Sequence, residues 1–224
     1  MNCPRCFYLD RKLGISPPPP YPFTLNSAVD TLLKKEFDIH RKAKTQHPIM
    51  LKNGLTALPW QHSDLDKWRD YHNGLTYAMP SLNFIVYGAP DDIWINELNE
   101  LILVDYKATS SEKAVSMDDE WKCGYKRQIE IYQWLLKMNG YTVSNQTYFV
   151  YANATRHPET FNSELKFSLD LLGYDGNTDW IEPKLNEIHA CLCGDMPSAD
   201  PKCIDHFNET DNINYLSLSN LSIK

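Results

Sequence analysis

Apolar positions recur at helical spacing early in the chain, over residues 26–44. Five apolar side chains alternate there with lysines and aspartates: Ala28, Leu32, Leu33, Phe37 and Ile39. This is the period of an amphipathic helix that packs one side against a core. Asn26 or Ser27 is a suitable N-cap for it. A weaker helical pattern covers residues 62–72.

Further along, the pattern changes to short apolar runs that predict strands. The predicted strands are 82–87, 92–96, 101–107, 147–151 and 165–169. A long helix is predicted over 117–138, because the apolar pattern stops at Asn139 and Gly140 in the manner of a C-cap. A last helix is predicted at 178–191. This order of elements predicts a mixed α/β domain.

Composition narrows the class of protein. The chain has 224 residues, 42% of them hydrophobic, and only nine glycines, which excludes collagen-like and disordered classes. No apolar run approaches the roughly 20 residues that span a bilayer, and residues 1–6 lack the apolar segment of a signal peptide. We therefore expect a cytoplasmic protein with no membrane partner. The net charge of −7 argues against a protein that only coats nucleic acid.

The predicted strand 101–107 carries the most informative polar residues. Because side chains alternate across a strand, Asp105 and Lys107 project from the same face, about 7 Å apart. Burying either charge unpaired would be costly, and a bound cation would offset that cost. Asp91 or Asp92, directly after the turn that precedes the neighbouring strand, can supply a second carboxylate.

Two converging aspartates and a main-chain oxygen are ligands that Mg²⁺ or Mn²⁺ accepts. Such a cation lowers the pKa of a water molecule, and a lysine beside it can hold that water or stabilise developing charge. This is the chemistry of phosphodiester hydrolysis. The structural alternative is an ordinary Asp–Lys ion pair at the end of a strand, because the Asp-x-Lys pattern alone is common.

Three segments together resemble the PD-(D/E)XK nucleases, in particular the RecB-like branch that includes CRISPR-adaptation nucleases with iron–sulfur clusters. The segments are 88–94 (GAPDDIW), 102–109 (ILVDYKAT) and 125–135 (YKRQIEIYQWL). In that family they carry a first aspartate, an acid-x-lysine pair, and a helix with Gln and Tyr four residues apart. The resemblance implies an α/β, restriction-endonuclease-like core with a central mixed β-sheet flanked by α-helices.

The resemblance also implies roles for individual residues. The implied metal ligands are Asp91, Asp105 and the main-chain carbonyl of Tyr106. Lys107 would orient or activate the attacking water. One position departs from the family, which has an apolar strand-forming residue where this chain has Pro90. Since proline weakens a strand there, Asp92 is an alternative ligand to Asp91.

Two helices supply the other implied site residues. Gln128 and Tyr132 are four residues apart, on one helix face, where the family places a supporting catalytic pair near the site or the DNA strand. Packing of an apolar helix stripe is their alternative role. The family also places a His or Glu from an early helix at the metal, and Glu36 and His40 are the candidates here. A solvated helix face is their alternative role.

The cysteines near the two chain ends resemble the ligands of the iron–sulfur cluster that joins the ends in that branch. The candidate ligands are Cys3, Cys6, Cys191, Cys203 and His206. Because His206 stands where the family has a final cysteine, three possibilities stay open: a [4Fe–4S] cluster, a structural Zn²⁺, or thiols without metal. Any metal there would be structural, because hydrolysis needs no electron transfer.

These observations predict one domain over residues 1–207, with 1–15 and 188–207 as possible metal-joined ends, and a polar tail at 208–224. The expected activity is Mg²⁺- or Mn²⁺-dependent hydrolysis of single- or double-stranded DNA, in repair, recombination or defence. One alternative is a catalytically degraded protein of this fold that binds nucleic acid or a partner protein. Another is a small zinc-stabilised interaction domain.

Overall fold

A mixed sheet of five strands forms the centre of the larger part of the chain. The computed structural model describes residues 3–16, 24–119 and 122–198. The strands of this sheet are β1 (Ala57–Pro59), β4 (Asp92–Asn96), β5 (Leu101–Thr109), β6 (Gln146–Ala154) and β7 (Phe167–Asp175). They lie in the order β1-β4-β5-β6-β7. A separate two-stranded hairpin consists of β2 (Leu75–Met79) and β3 (Phe84–Gly88).

The central strand, β5, has an antiparallel neighbour in β4 and a parallel neighbour in β6. The pairs β1–β4 and β6–β7 are antiparallel. Parallel neighbours need a long crossover connection, and helix α5 (Cys123–Met138) lies in the segment between β5 and β6. The first residues of β5, up to Val104, therefore have β4 as a neighbour, whereas residues 104–109 pair with β6.

Helices pack against both faces of this sheet. Helix α2 (Thr24–Ala43) contacts β5 and β1, and its Leu33 and Phe37 share one apolar cluster with Val104 and Tyr106 of β5. The alternate residues of β5, which include Asp105, point to the opposite face. Helix α5 contacts β5 as well as β2 and β3. The observed architecture confirms the predicted α/β class with a helix-flanked mixed sheet.

Two compact units divide the chain, one spanning Phe23–Ile181 and the other formed by both chain ends. The remaining helices of the larger unit are α3 (Pro48–Lys52) and α4 (Leu65–Trp68). The smaller unit contains α1 (Pro4–Leu13) and, from Glu182 onward, α6 (Ile181–Cys193). Within it, Lys12 Nζ lies 3.4 Å from the carbonyl oxygen of Gly194. Among the described residues, no helix is long and apolar enough to cross a membrane.

Element boundaries differ from the predicted ones where tertiary packing decides them. The predicted strand 92–96 has the observed bounds, but the predicted helix at 62–72 shrinks to the four residues of α4. Helix α5 begins at Cys123, six residues after its predicted start. Side chains in the preceding segment form hydrogen bonds with the local backbone instead of allowing a helix. For example, Ser116 Oγ accepts the N–H of Asp118 at 3.1 Å. The predicted polar tail lies outside the described residues, and the single domain over 1–207 stays a prediction.

Gly88, the last residue of β3, allows this strand to lie against α5. A Cβ atom at this position would lie 2.4 Å from Cε1 and 2.8 Å from Cδ1 of Tyr132. Both distances are far below van der Waals contact between carbon atoms. The Tyr132 ring is itself 8% exposed, so it has little room to move away. The absence of a side chain at Gly88 therefore sets the distance between β3 and α5.

We expect the substitution Gly88→Ala to lower the free energy of unfolding by about 1–3 kcal/mol, because overpacking forces the buried ring or the backbone to shift. Gly124→Ala is the matched control, since a Cβ there would meet nothing within 4 Å. In a helix this control should raise stability by up to about 1 kcal/mol. Urea unfolding followed by circular dichroism measures both. Equal effects of the two substitutions would contradict the proposed close approach.

Candidate metal centre

A cavity of about 370 Å³ opens beside the second half of β5. It is bordered by the first turns of α2, by the residue before β4, and by the first half of α5. The polar residues that line it are Asn26, Ser27, Asp30, Thr31, Asp91, Asp105, Lys107, Tyr125 and Gln128, and Tyr106 lines it as well. Five residues predicted from the sequence to form the site, Asp91, Asp105, Tyr106, Lys107 and Gln128, thus lie around one cavity.

Asp105 is the most deeply buried acid at the cavity, with 1% of its surface exposed. Its Oδ2 is in ion-pair contact with Nζ of Lys107. Burial, followed by the nearby charge of Asp91, raises the pKa of Asp105 to about 7, against the opposing effect of Lys107. The metal-free site therefore holds an acid that takes up a proton near neutral pH.

Asp91 lines the same cavity and is held by the main chain of β5. Its Oδ2 accepts the N–H of Tyr106 at 2.8 Å, and its Oδ1 lies 3.5 Å from Nζ of Lys34. Burial raises the pKa of Asp91, while Lys34 opposes the rise. The hydrogen bond to β5 brings the two aspartates predicted as metal ligands to one place.

Tyr106 contributes its main chain to the cavity and its side chain to the core. The ring stacks on Phe37 with centroids 5.5 Å apart, and the hydroxyl donates to Asp92 Oδ2 at 2.8 Å. These contacts follow from the alternation of side chains along β5, which puts Asp105 and Lys107 on the other face. The main-chain carbonyl is thus the group of Tyr106 that suits the predicted ligand role.

Asp92 is a structural residue in the interior. It is fully buried, and its Oδ1 pairs with Arg41 and accepts the N–H of Ile93 at 2.9 Å. Its Oδ2 accepts from the hydroxyl of Tyr106 and from Trp94 Nε1. Both oxygens are occupied by protein donors, so the geometry favours Asp91 over Asp92 as the ligand.

Lys107 and Gln128 are both held by aromatic side chains. Nζ of Lys107 lies 4.5 Å from the centroid of the Tyr125 ring, a cation–π distance. Gln128 Nε2 donates to the Tyr132 hydroxyl at 2.8 Å. Tyr132 does not line the cavity, but burial raises its pKa, and the charges of the cavity aspartates add to the rise. Through its hydroxyl, Tyr132 fixes the position of the Gln128 side chain.

Glu36 and His40 are not brought to the cavity. Glu36 Oε1 lies 2.8 Å from Nε2 of His47, and His40 Nδ1 lies 3.0 Å from Thr45 Oγ1. The helix rises about 1.5 Å per residue, so His40 stands about 15 Å along α2 from Asp30, which lines the cavity. Helix α2 presents Asp30 there instead, because its first turns are the ones that reach the end of β5.

Asp30 is a cavity residue that sequence reasoning missed, and Lys34 joins it to Asp91. Lys34 Nζ lies 2.9 Å from Asp30 Oδ2 and also reaches Asp91. The pair has the i, i+4 spacing of an ordinary solvated helix pair. The chain offered one weak signal, namely that Asp30 precedes the buried Leu33 and Phe37 on the predicted amphipathic helix.

Of the predicted cysteine site, Cys3, Cys6 and Cys191 are described, whereas Cys203 and His206 lie outside the described residues. In the smaller unit, Cys191 Sγ lies 3.8 Å from the carbonyl oxygen of Pro4, beside Cys3. Helices α1 and α6 are therefore close to each other at Pro4 and Cys191. A cysteine-bound metal there stays a prediction.

The cavity donors suit a hard cation. The described residues contain no three His, Cys, Asp or Glu side chains already arranged around a metal position, and lysine ammonium groups contact all three acids of the cavity. Asp105 Oδ2 is buried and is in ion-pair contact with Lys107, so a cation that replaced the ammonium there would keep the carboxylate paired. Carboxylate and carbonyl oxygens are the ligands that Mg²⁺ and Mn²⁺ take. The residues present thus fit the predicted metal.

Comparison with known proteins adds no family to this description. A scan against models of protein families gave no match, and a search of curated proteins found no significant relative.

Asparagine substitutions at the two neighbouring aspartates should change the free energy of unfolding by very different amounts. Asp92→Asn removes the fully buried charge partner of Arg41, which keeps its ion pair with the partly exposed Asp38, and we expect a loss of about 3–5 kcal/mol in the free energy of unfolding. Asp91→Asn should change stability by about 1 kcal/mol or less, because its ion pair with Lys34 is partly exposed to solvent. Chemical unfolding of metal-free protein measures both. A larger loss for Asp91→Asn would contradict the assignment of Asp92 to the core.

The raised pKa of Asp105 predicts a pH dependence of stability. The unfolded chain releases this proton near pH 3.8 and the folded, metal-free protein near pH 7. Between these values the folded state binds more protons, so its stability falls as pH rises and levels off above about pH 7. The difference between wild type and Asp105→Asn, measured by urea unfolding in EDTA from pH 4 to 8, should show this slope. A difference that is flat with pH, or rises with it, would contradict it.

Proposed function

We propose that this protein is a divalent-metal-dependent nuclease of the restriction-endonuclease-like fold that hydrolyses phosphodiester bonds in DNA. The observation that carries the proposal is the meeting of Asp91, Asp105 and Lys107 at one cavity beside the end of β5. The sequence resemblance to RecB-like nucleases supports DNA as the substrate. Neither argument depends on the cysteines.

The proposed ligands are Asp91 Oδ1, Asp105 Oδ2 and the carbonyl oxygen of Tyr106, with Asp30 as a further acid from α2. When bound, a divalent cation supplies positive charge for the phosphate and acidifies a water molecule. The chain's part is to hold these oxygens in a largely buried place. The hydrogen bond from the Tyr106 N–H to Asp91 does this directly, since it ties the loop before β4 to β5.

Lys107 is the proposed catalytic cation of the chain itself. A divalent cation bound to Asp105 Oδ2 would take the place of the Lys107 ammonium at that oxygen. The Tyr125 ring, which lies against Nζ of Lys107, would keep the ammonium beside the cavity. From that position the ammonium donates hydrogen bonds to the attacking water or to a phosphate oxygen, where negative charge develops. Gln128, held by Tyr132, is placed to bind a phosphate or sugar group.

One observation favours the alternative, a protein that binds nucleic acid or a partner without cleaving. Lysine ammonium groups already neutralise acids of the cavity in ion pairs, and such a set is stable without a cation. Under this alternative Asp91, Asp105 and Lys107 form a structural cluster. Assays of DNA cleavage and of metal binding distinguish the nuclease from the binding protein.

With Mg²⁺ or Mn²⁺, the purified protein should cleave single- or double-stranded DNA. Asp105→Asn and Lys107→Ala should each lower the rate at least about 100-fold, because each removes a group that stabilises the transition state. Fluorescently labelled DNA and RNA strands, resolved on gels with and without EDTA, measure the rate and the choice of substrate.

The matched control is Lys35→Ala, which removes an exposed lysine from α2 and should leave cleavage unchanged. Equal cleavage by Asp105→Asn, Lys107→Ala and wild type would place the activity in a contaminant or in another site. Cation-dependent thermal stabilisation without cleavage of DNA or RNA would support the binding protein instead.

A further inference from the structure

Lys34 joins two acids that come from different elements. Its Nζ lies 2.9 Å from Asp30 Oδ2 on the same helix and 3.5 Å from Asp91 Oδ1, before β4. The Lys34 side chain is 22% exposed and the Asp91 side chain 23%, so the group is partly shielded from water. An ammonium in this place provides one positive charge between two carboxylates.

The two lysines beside the cavity pair with different oxygens. Asp91 Oδ2 accepts the N–H of Tyr106, which leaves Oδ1 to face Lys34. Asp105 Oδ2 contacts Lys107. A cation that takes Asp91 Oδ1 and Asp105 Oδ2 therefore competes with Lys34 at the first oxygen and with Lys107 at the second. The effects of the two lysines on metal binding can thus be measured separately.

A carboxylate that faces two ways is the usual bridge in a two-metal site, where the ions are about 3.5–4 Å apart. Asp91 would be the shared ligand of such a site here, because it lines the same cavity as Asp105 and shares the Lys34 ammonium with Asp30. On the Asp30 side, Lys34 already takes the place between the two carboxylates. A second divalent cation there would stand within a few ångströms of the ammonium, where repulsion between like charges is strong.

We infer that Lys34 determines how many metal ions the cavity accepts: its ammonium stands in for a second cation between Asp30 and Asp91, so the protein binds one divalent ion. This inference rests on the proposed metal-dependent function and assigns Lys34 a part in it. Lys34 also weakens the binding of that one ion, because the ion must take Asp91 Oδ1 from it.

Counting bound ions tests this inference without an activity assay. The metal-free full chain is titrated with Mn²⁺, with heat measured by calorimetry and free Mn²⁺ by electron paramagnetic resonance. Wild type should bind one Mn²⁺ at the cavity. Lys34→Gln should bind two, and its first Kd should fall about tenfold, the effect of removing one nearby like charge. Lys34→Arg, which keeps the charge, should bind one.

Controls separate the sources of any change. Lys35→Gln removes an exposed charge one residue away and should behave as wild type. Adding Asp30→Asn to Lys34→Gln should return the count to one, because the second ion needs the Asp30 carboxylate. Urea unfolding of every variant verifies that it is folded.

Several results would overturn the inference. If wild type binds one Mn²⁺ and Lys34→Gln binds one with an unchanged Kd, Lys34 is an ordinary ion-pair residue while the proposed function stands. Two ions in wild type, or two ions that survive Asp30→Asn, would also overturn the inference alone. If neither wild type nor Lys34→Gln binds Mn²⁺, the proposed metal-dependent function fails together with it.

Discussion

The burial of Asp105 at the end of the central strand is the constraint on which the cavity depends. A charged carboxylate inside a protein must be paired, protonated or bound to a cation, because isolated charge is very costly there. In this protein Lys107 pairs with it, and burial still raises its pKa to about 7. Both side chains stand on the part of β5 beyond Val104, which pairs with β6 on one side. On the other side Asp91 accepts the N–H of Tyr106, and the pair therefore borders the cavity instead of a further strand.

Asp91 and Asp92 show how one step along the chain separates a structural acid from a candidate ligand. Asp92 begins β4, where its carboxylate meets Arg41, Tyr106 and Trp94 in the core. Asp91 precedes the strand and faces the cavity. The sequence left both residues possible as ligands. The choice depends on where the strand begins after Pro90, and hence on which of the two side chains points into the core. The buried arginine that neutralises Asp92 lies about 50 residues away in sequence and cannot be paired with it by local patterns.

Local patterns predicted the parts of the fold and site that local sequence determines. The alternation in β5 predicted that Asp105 and Lys107 share a face, and the ion pair between them agrees with that. The acid from the early helix could not be predicted. Tertiary packing of α2 on the sheet decides which turn of the helix lies at the end of β5. Asp30 occupies that turn, whereas Glu36 and His40 on the same helix make contacts elsewhere.

Charge balance around the cavity links cation binding to the entry of a phosphate. Three carboxylates, from Asp30, Asp91 and Asp105, stand against the ammonium groups of Lys34 and Lys107. With every group charged, one negative charge is left over, and a proton on Asp105 cancels it near neutral pH. Neither state attracts a phosphodiester, which is itself negative. Under the proposed function, the cavity gains a positive potential that attracts DNA only when a divalent cation replaces that proton. The burial that raises the pKa of Asp105 therefore also makes DNA binding depend on the metal ion.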